Sequence, residues 1–346
     1  MEGKQRIEYI DAIKGLAILL VVYGHIELFG LQINNIETFT FNRVCTLLTM
    51  PLFFFISGFI FYKRACIENI TNLLKKKFMV LIIPATFFLI LNIIVFQRDI
   101  EFIIFHQFKG GYWFTYTLFE YFVLYTIINY VIQTFNLKKY EDIIFILTSL
   151  TIFLLTGHFL YLFNDNISGI FCLLQGKYYI YFIFGCLIKK YFKYFEMIIE
   201  QKKFMIPFVQ LSFLFTCIYY IKYQQDILGL NTIVPVYIAI TGILVIFTFF
   251  RKYETSFTQN RIIGKCLQYI GKRTLDVYLL HYFFLPYGFH IKSLPWGKVI
   301  AENPALELTF ALFLAGIIMC LCLITSNILR TSPLLGHYLF GVKLPQ

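Results

Sequence analysis

The chain has 346 residues, 59% of them apolar and only 14% charged, with a net charge of +11. A soluble domain has about 25% charged residues, and a chain with 42 Phe and 25 Tyr on this background would expose too much apolar surface to stay dissolved. These figures exclude a soluble enzyme, a disordered chain and a disulfide scaffold, and they point to an integral membrane protein.

A membrane-spanning helix needs roughly 20 mostly apolar residues. In chain order the candidates are 10–29, 44–62, 78–96, 112–131, 143–162, 170–188, 204–222, 231–250, 274–291 and 306–328. The sixth carries Gln175 and Lys177, and the ninth opens at Arg273 and contains His281, so these two are the least clean. Long continuous apolar runs exclude a β-barrel, whose strands are short and alternating. The expected fold is all-α, a polytopic membrane protein with about ten transmembrane helices. The first run is not read as a cleavable signal peptide, because it lacks a small-x-small site and carries Asp11 and Lys14.

The loops set the orientation. With the N-terminus inside, 22 of the 30 Lys and Arg fall on the inner side and 7 on the outer, Lys14 lying within the first span. That asymmetry predicts an N-in, C-in topology. It also accounts for the positive charge as topogenic, so no nucleic-acid partner is expected. The longest loop, 251–273, has no room for a soluble domain, and residues 1–346 are read as a single transmembrane domain. The eight Cys show no zinc spacing, and no metal is expected.

Ionisable side chains inside a membrane are costly, which makes them candidates for function. Asp11 and Lys14 are three apart and share a helix face. Lys14 and His25 are eleven apart, within about 20° of three full turns, so one stripe carries both across roughly 16 Å. The pair has two readings, an interfacial ion pair or a substrate contact; His25 is either a structural hydrogen bond or a proton acceptor. Glu120 lies midway along the fourth span, seven residues after Trp113 and on roughly the same face. It is either a substrate ligand or a partner for a buried Lys or Tyr. His281 follows Tyr278 by three residues, so the two could orient a substrate together, or His281 could make a structural hydrogen bond. Glu27, His106, His158 and His290 fall near the outer rim.

Four blocks in register resemble the acyltransferase-3 family. They are Ile10-Asp11-Ala12-Ile13-Lys14-Gly15 with His25 following; Met50-Pro51-Leu52-Phe53 through Ser57-Gly58-Phe59; Gly111-Tyr112-Trp113-Phe114; and Gly271 through Thr274, Tyr278 and His281. Lys14 stands where relatives more often carry Arg, and Lys77 with Val80 where they often carry Arg-x-x-Arg. The resemblance implies a bacterial inner-membrane O-acyltransferase that acetylates a cell-surface polysaccharide or lipid-linked glycan. His25 would be the catalytic residue, with Asp11, Lys14, Trp113, Glu120, Tyr278 and His281 binding substrate. Acetyl-CoA would be the donor, with no permanently bound cofactor, and its phosphates would meet Arg64, Lys75, Lys76, Lys77 and Arg273 on the cytosolic side. A polysaccharide exporter or flippase is the alternative, which the absence of a visible repeat disfavours.

The charge asymmetry makes one direct prediction. Reporter fusions in the 251–273 loop should report a cytosolic location, and an external signal there would overturn the topology.

Overall fold

A computed structural model describes residues 7–31, 36–62, 70–158, 173–201, 204–222, 230–287, 294 and 297–341. Among the described residues there is no strand. The helices are α1 (Glu8–His25), α2 (Ile36–Phe61), α3 (Ile70–Phe96), α4 (Ile100–Phe105), α5 (Trp113–Thr134), α6 (Glu141–His158) and α7 (Tyr179–Lys190). They continue as α8 (Phe192–Gln201), α9 (Met205–Lys222), α10 (Leu230–Lys252) and α11 (Ile262–Lys272). The last four are α12 (Thr274–Leu280), α13 (Gly297–Glu302), α14 (Pro304–Leu329) and α15 (Pro333–Phe340). Among the described residues, five stretches are long and apolar enough to cross a membrane: Glu8–Phe29, Val44–Phe61, Thr71–Phe96, Ile233–Lys252 and Pro304–Leu329. The protein is an all-α polytopic membrane protein.

Those five coincide with the first, second, third, eighth and tenth of the ten stretches read from the sequence. The others take different forms. The fourth is the continuous 22-residue α5, made less apolar by Glu120, Asn129 and Tyr116, Tyr121, Tyr125 and Tyr130. The fifth runs to His158, at the edge of the described residues. The sixth is a 3-10 turn over Leu173–Tyr178 followed by the twelve-residue α7. The seventh is a shorter apolar helix, Met205–Ile221. The ninth is not one continuous helix: α12 has seven residues and gives way to a 3-10 turn, His281–Phe283. Pro286 further bars a continuous helix through this stretch, because it cannot donate a backbone hydrogen bond and it restricts the residue before it.

The chain divides into two compact units, residues 1–53 with 192–324 and residues 54–191 with 325–346. In the first, α1 crosses α11 with backbones in contact. A Cβ on Gly15 would sit 2.0 Å from the Leu267 carbonyl oxygen, and one on Gly271 would sit 1.7 Å from that of Asp11. The pairing of 15 with 267 and 11 with 271 makes the two helices antiparallel. Without a hydrophobic driving force between helices in lipid, such small-residue contacts supply close packing. The chain then turns at Arg273, where the Thr274 hydroxyl donates to the Gly271 carbonyl at 2.7 Å, and α12 runs back along α1. The N-terminal end of α1 is tied down by Arg251. Its guanidinium meets Glu196 at 2.5 Å and Glu254 at 3.3 Å and lies over the Tyr9 ring at 5.5 Å.

The second unit uses the same device. Gly58 of α2 faces the Phe182 carbonyl and Gly185 of α7 faces that of Phe55, each at 2.0 Å from where a Cβ would stand. Aromatic rings fill the remaining space, among them Phe61 against Phe122 at 4.3 Å and Tyr125 against Phe145 at 4.6 Å. At the end of α7, Lys190 bridges Asp142 at 2.5 Å and Glu141 at 3.0 Å. Partial burial opposes its charge, but hydrogen bonds to the two carboxylates prevail and raise the pKa of its ammonium group to about 12.

Gly15→Ala and Gly271→Ala should both lower the thermal midpoint of the purified protein. Helix propensity favours Ala by about 1 kcal/mol, but overpacking against a backbone carbonyl costs about 1–3 kcal/mol and the contact has no flexible side chain to yield. Gly316→Ala, with nothing within 4 Å of the new methyl group, is the control and should be neutral or stabilising.

Candidate active site

α1 does not stop at His25. It opens into a π-helical turn, Ile26–Leu31, a wide turn that is rare overall and frequent at functional sites. His25 stands at this junction, half-buried. Its Nδ1 lies 2.8 Å from Nε2 of His281, the first residue after α12. The rings are nearly parallel, 6° apart in plane with centroids 5.1 Å apart. His281 is fully buried, and its Nδ1 lies 3.0 Å from the Val277 carbonyl one turn back. Tyr282 packs on both imidazoles, at 4.0 Å from His281 and 5.1 Å from His25. Phe29 borders His25 at 5.7 Å.

About 16 Å down the same unbroken helix, Lys14 Nζ lies 3.3 Å from Asp11 Oδ1. Asp11 is buried and Lys14 half-buried. Arg273 is 3.5 Å from the buried Asp276, three residues along α12. The first unit therefore brings together His25 and His281, Asp11 and Lys14, and Arg273 with Asp276. Tyr278 is buried beside His281, with ring centroids 6.2 Å apart. Both ring nitrogens of His281 lie within hydrogen-bond distance of protein atoms, Nε2 of His25 Nδ1 and Nδ1 of the Val277 carbonyl.

The remaining candidates belong to the second unit. Trp113 is buried, stacked on Tyr178 at 5.6 Å and near Phe54 at 6.2 Å. Glu120 is half-buried and feels the charge of Lys109. Lys75 and Lys76 are exposed on α3. Lys77 lies over the Phe122 ring at 4.5 Å and the Phe61 ring at 5.7 Å. Arg64 and His290, and the side chain of His158, lie outside the described residues.

Sequence reasoning missed several polar groups. Tyr282 sits next to His281, and extending the late motif by one residue would have found it. Glu307 is fully buried near the start of α14, beside the buried Glu27. It lies inside an apolar run, the very signal applied to Glu120. Lys109 is buried at a turn of three successive residues with positive φ, 46° at Lys109, 59° at Gly110 and 105° at Gly111. Its Nζ donates to the Ile104 carbonyl at 2.5 Å. Only glycine tolerates the last of these values without strain, which explains the Gly110-Gly111 pair before Trp113. Among the described residues no group of three His, Cys, Asp or Glu side chains is arranged to hold a metal ion.

A family model described as an acyltransferase domain matches residues 7–326, a stretch that runs through both units. No curated protein and no solved structure was found to match the chain.

The Asp11–Lys14 geometry makes a stability prediction. Lys14→Ala removes one partner of a half-buried pair and should cost about 1–2 kcal/mol, below the cost of breaking a fully buried one. Lys14→Arg keeps the charge and should cost less. Equal thermal midpoints for the two variants and the parent protein would mean that the pair carries no weight.

Proposed function

Because the chain belongs to the acyltransferase-3 family, we propose that this membrane acyltransferase moves an acetyl group from acetyl-CoA to a hydroxyl of a cell-surface polysaccharide or lipid-linked glycan. The proposed setting is the cytoplasmic membrane of a bacterium, with both termini inside. The observation that supports the reading is His25 itself: a half-buried imidazole on a membrane-spanning helix, backed by a second imidazole at 2.8 Å.

The chemistry asked of the site is acyl transfer. The acceptor hydroxyl gives its proton to His25 as its oxygen forms a bond to the thioester carbonyl carbon. The carbon–sulfur bond then breaks, and the departing thiolate takes the proton back from His25. The products are the acetyl ester and free CoA. Imidazole suits both halves because it exchanges a proton near neutral pH. Acetyl-CoA is made in the cytosol and is too highly charged to cross lipid. Its phosphates are assigned to basic side chains on that side, with Lys75, Lys76, Lys77, Arg64 and Arg273 as the candidates. Asp11, Lys14, Trp113, Glu120 and Tyr278 are the proposed substrate contacts.

Removing a positioned base typically costs about 10²–10⁴-fold in rate. His25→Ala and His25→Gln should insert and reach normal abundance yet leave the surface glycan unacetylated, read as alkali-released acetate. Glutamine keeps hydrogen-bonding capacity without accepting a proton, so it separates chemistry from structure. Near-normal acetylation in His25→Gln cells would overturn the mechanism. Turnover of acetyl-CoA by the purified protein tests the donor.

A further inference from the structure

The contacts around His281 determine which nitrogen of His25 is basic. The Val277 carbonyl accepts the backbone N–H of His281, and its oxygen has a second lone pair. The His281 Nδ1 at 3.0 Å faces that oxygen, which can only accept, so Nδ1 carries a hydrogen. In the neutral His281 ring the other nitrogen, Nε2, then has a lone pair. That lone pair faces Nδ1 of His25 at 2.8 Å, so the hydrogen between the two rings belongs to His25 Nδ1. A neutral His25 is left with its lone pair on Nε2. The chain of bonds runs from the Val277 carbonyl through His281 to His25, and each member fixes the next.

We propose that His281 is a positioning residue, which holds His25 in the Nδ1–H tautomer and so presents Nε2 as the nitrogen that takes the hydroxyl proton. The inference rests on the reading of His25 as proton acceptor. The arrangement follows the general rule that the hydrogen bond made by one imidazole nitrogen decides the state of the other. Full burial of His281 and its packing on Tyr282 fix the plane of its ring, and the near-parallel rings keep the shared hydrogen in line. When His25 Nε2 takes up the substrate proton, the Nδ1 hydrogen stays in place. It then donates from a cationic ring to a neutral one, a stronger bond than before. The pair thus favours the protonated intermediate without moving a second proton.

The test combines side-chain variants with a direct reading of the tautomer. Glutamine can put an acceptor oxygen where His281 Nε2 stands; asparagine reaches only the Nδ1 position; phenylalanine fills the space and supplies neither. Histidine-labelled protein in lipid vesicles, examined by solid-state nitrogen NMR, reports which His25 nitrogen is protonated, with His25→Gln identifying the signal. The expected result is an Nδ1–H tautomer in the parent protein and in His281→Gln, lost in His281→Asn and His281→Phe. Surface-glycan acetate should follow the same order, with His281→Gln within about tenfold of the parent and the other two down by about 10²-fold or more at matched abundance, the loss of the base itself setting the ceiling. A parent protein with His25 protonated on Nε2 would overturn the inference, whatever the activities. So would full acetylation in His281→Asn cells while His25→Gln cells are inactive. An active His25→Gln variant would overturn the function reading and this inference with it, whichever tautomer is found.

Discussion

The closest approach in the first unit is between two backbones. Gly15 and Gly271 let α1 and α11 touch with no side chain between them, and the rest of the candidate site is measured from that contact. Gly271 lies against Asp11. From there α1 runs fourteen residues to His25, while the segment after α11 turns at Arg273 and reaches His281 ten residues on from Gly271. The two imidazoles meet at 2.8 Å. A methyl group at either glycine would spread the helices at the base and shift the pairing at the top. The late sequence block from Gly271 to His281 is therefore a measured strut: one end is a contact and the other a hydrogen bond.

That geometry sorts the polar groups by height. Ion pairs gather at the base, where Asp11 meets Lys14, Arg273 meets Asp276, and Arg251 meets both Glu196 and Glu254. The imidazole pair stands at the far end of α1, where the helix widens into a π turn. Charged groups in a membrane persist when paired. The first unit thus separates its ion pairs from its imidazole pair, at opposite ends of α1. The second unit is built on aromatic packing around its own glycine pair, with Lys75 and Lys76 exposed on α3.

Much of this was legible in the residues. The membrane class followed from composition, and the Lys14–His25 stripe followed from a helical period that α1 keeps without interruption. The ninth stretch was misread as a continuous helix because hydropathy averages over Pro286 and the break at His281. Glu307 was overlooked because a single carboxylate barely changes the mean of a long apolar window, although its burial is complete.

By itself the sequence determined that the chain is helical, membrane-bound and equipped with ionisable groups on one face of its first helix, because composition and period are local properties. Its four motif blocks also determined the family. Only the tertiary structure decided which groups meet. His25 and His281 are 256 residues apart in the chain, and no local pattern specifies a hydrogen bond between them. The backbone contact at Gly15 and Gly271 likewise joins residues far apart in the chain, and only the folded packing of α1 on α11 and α12 shows it.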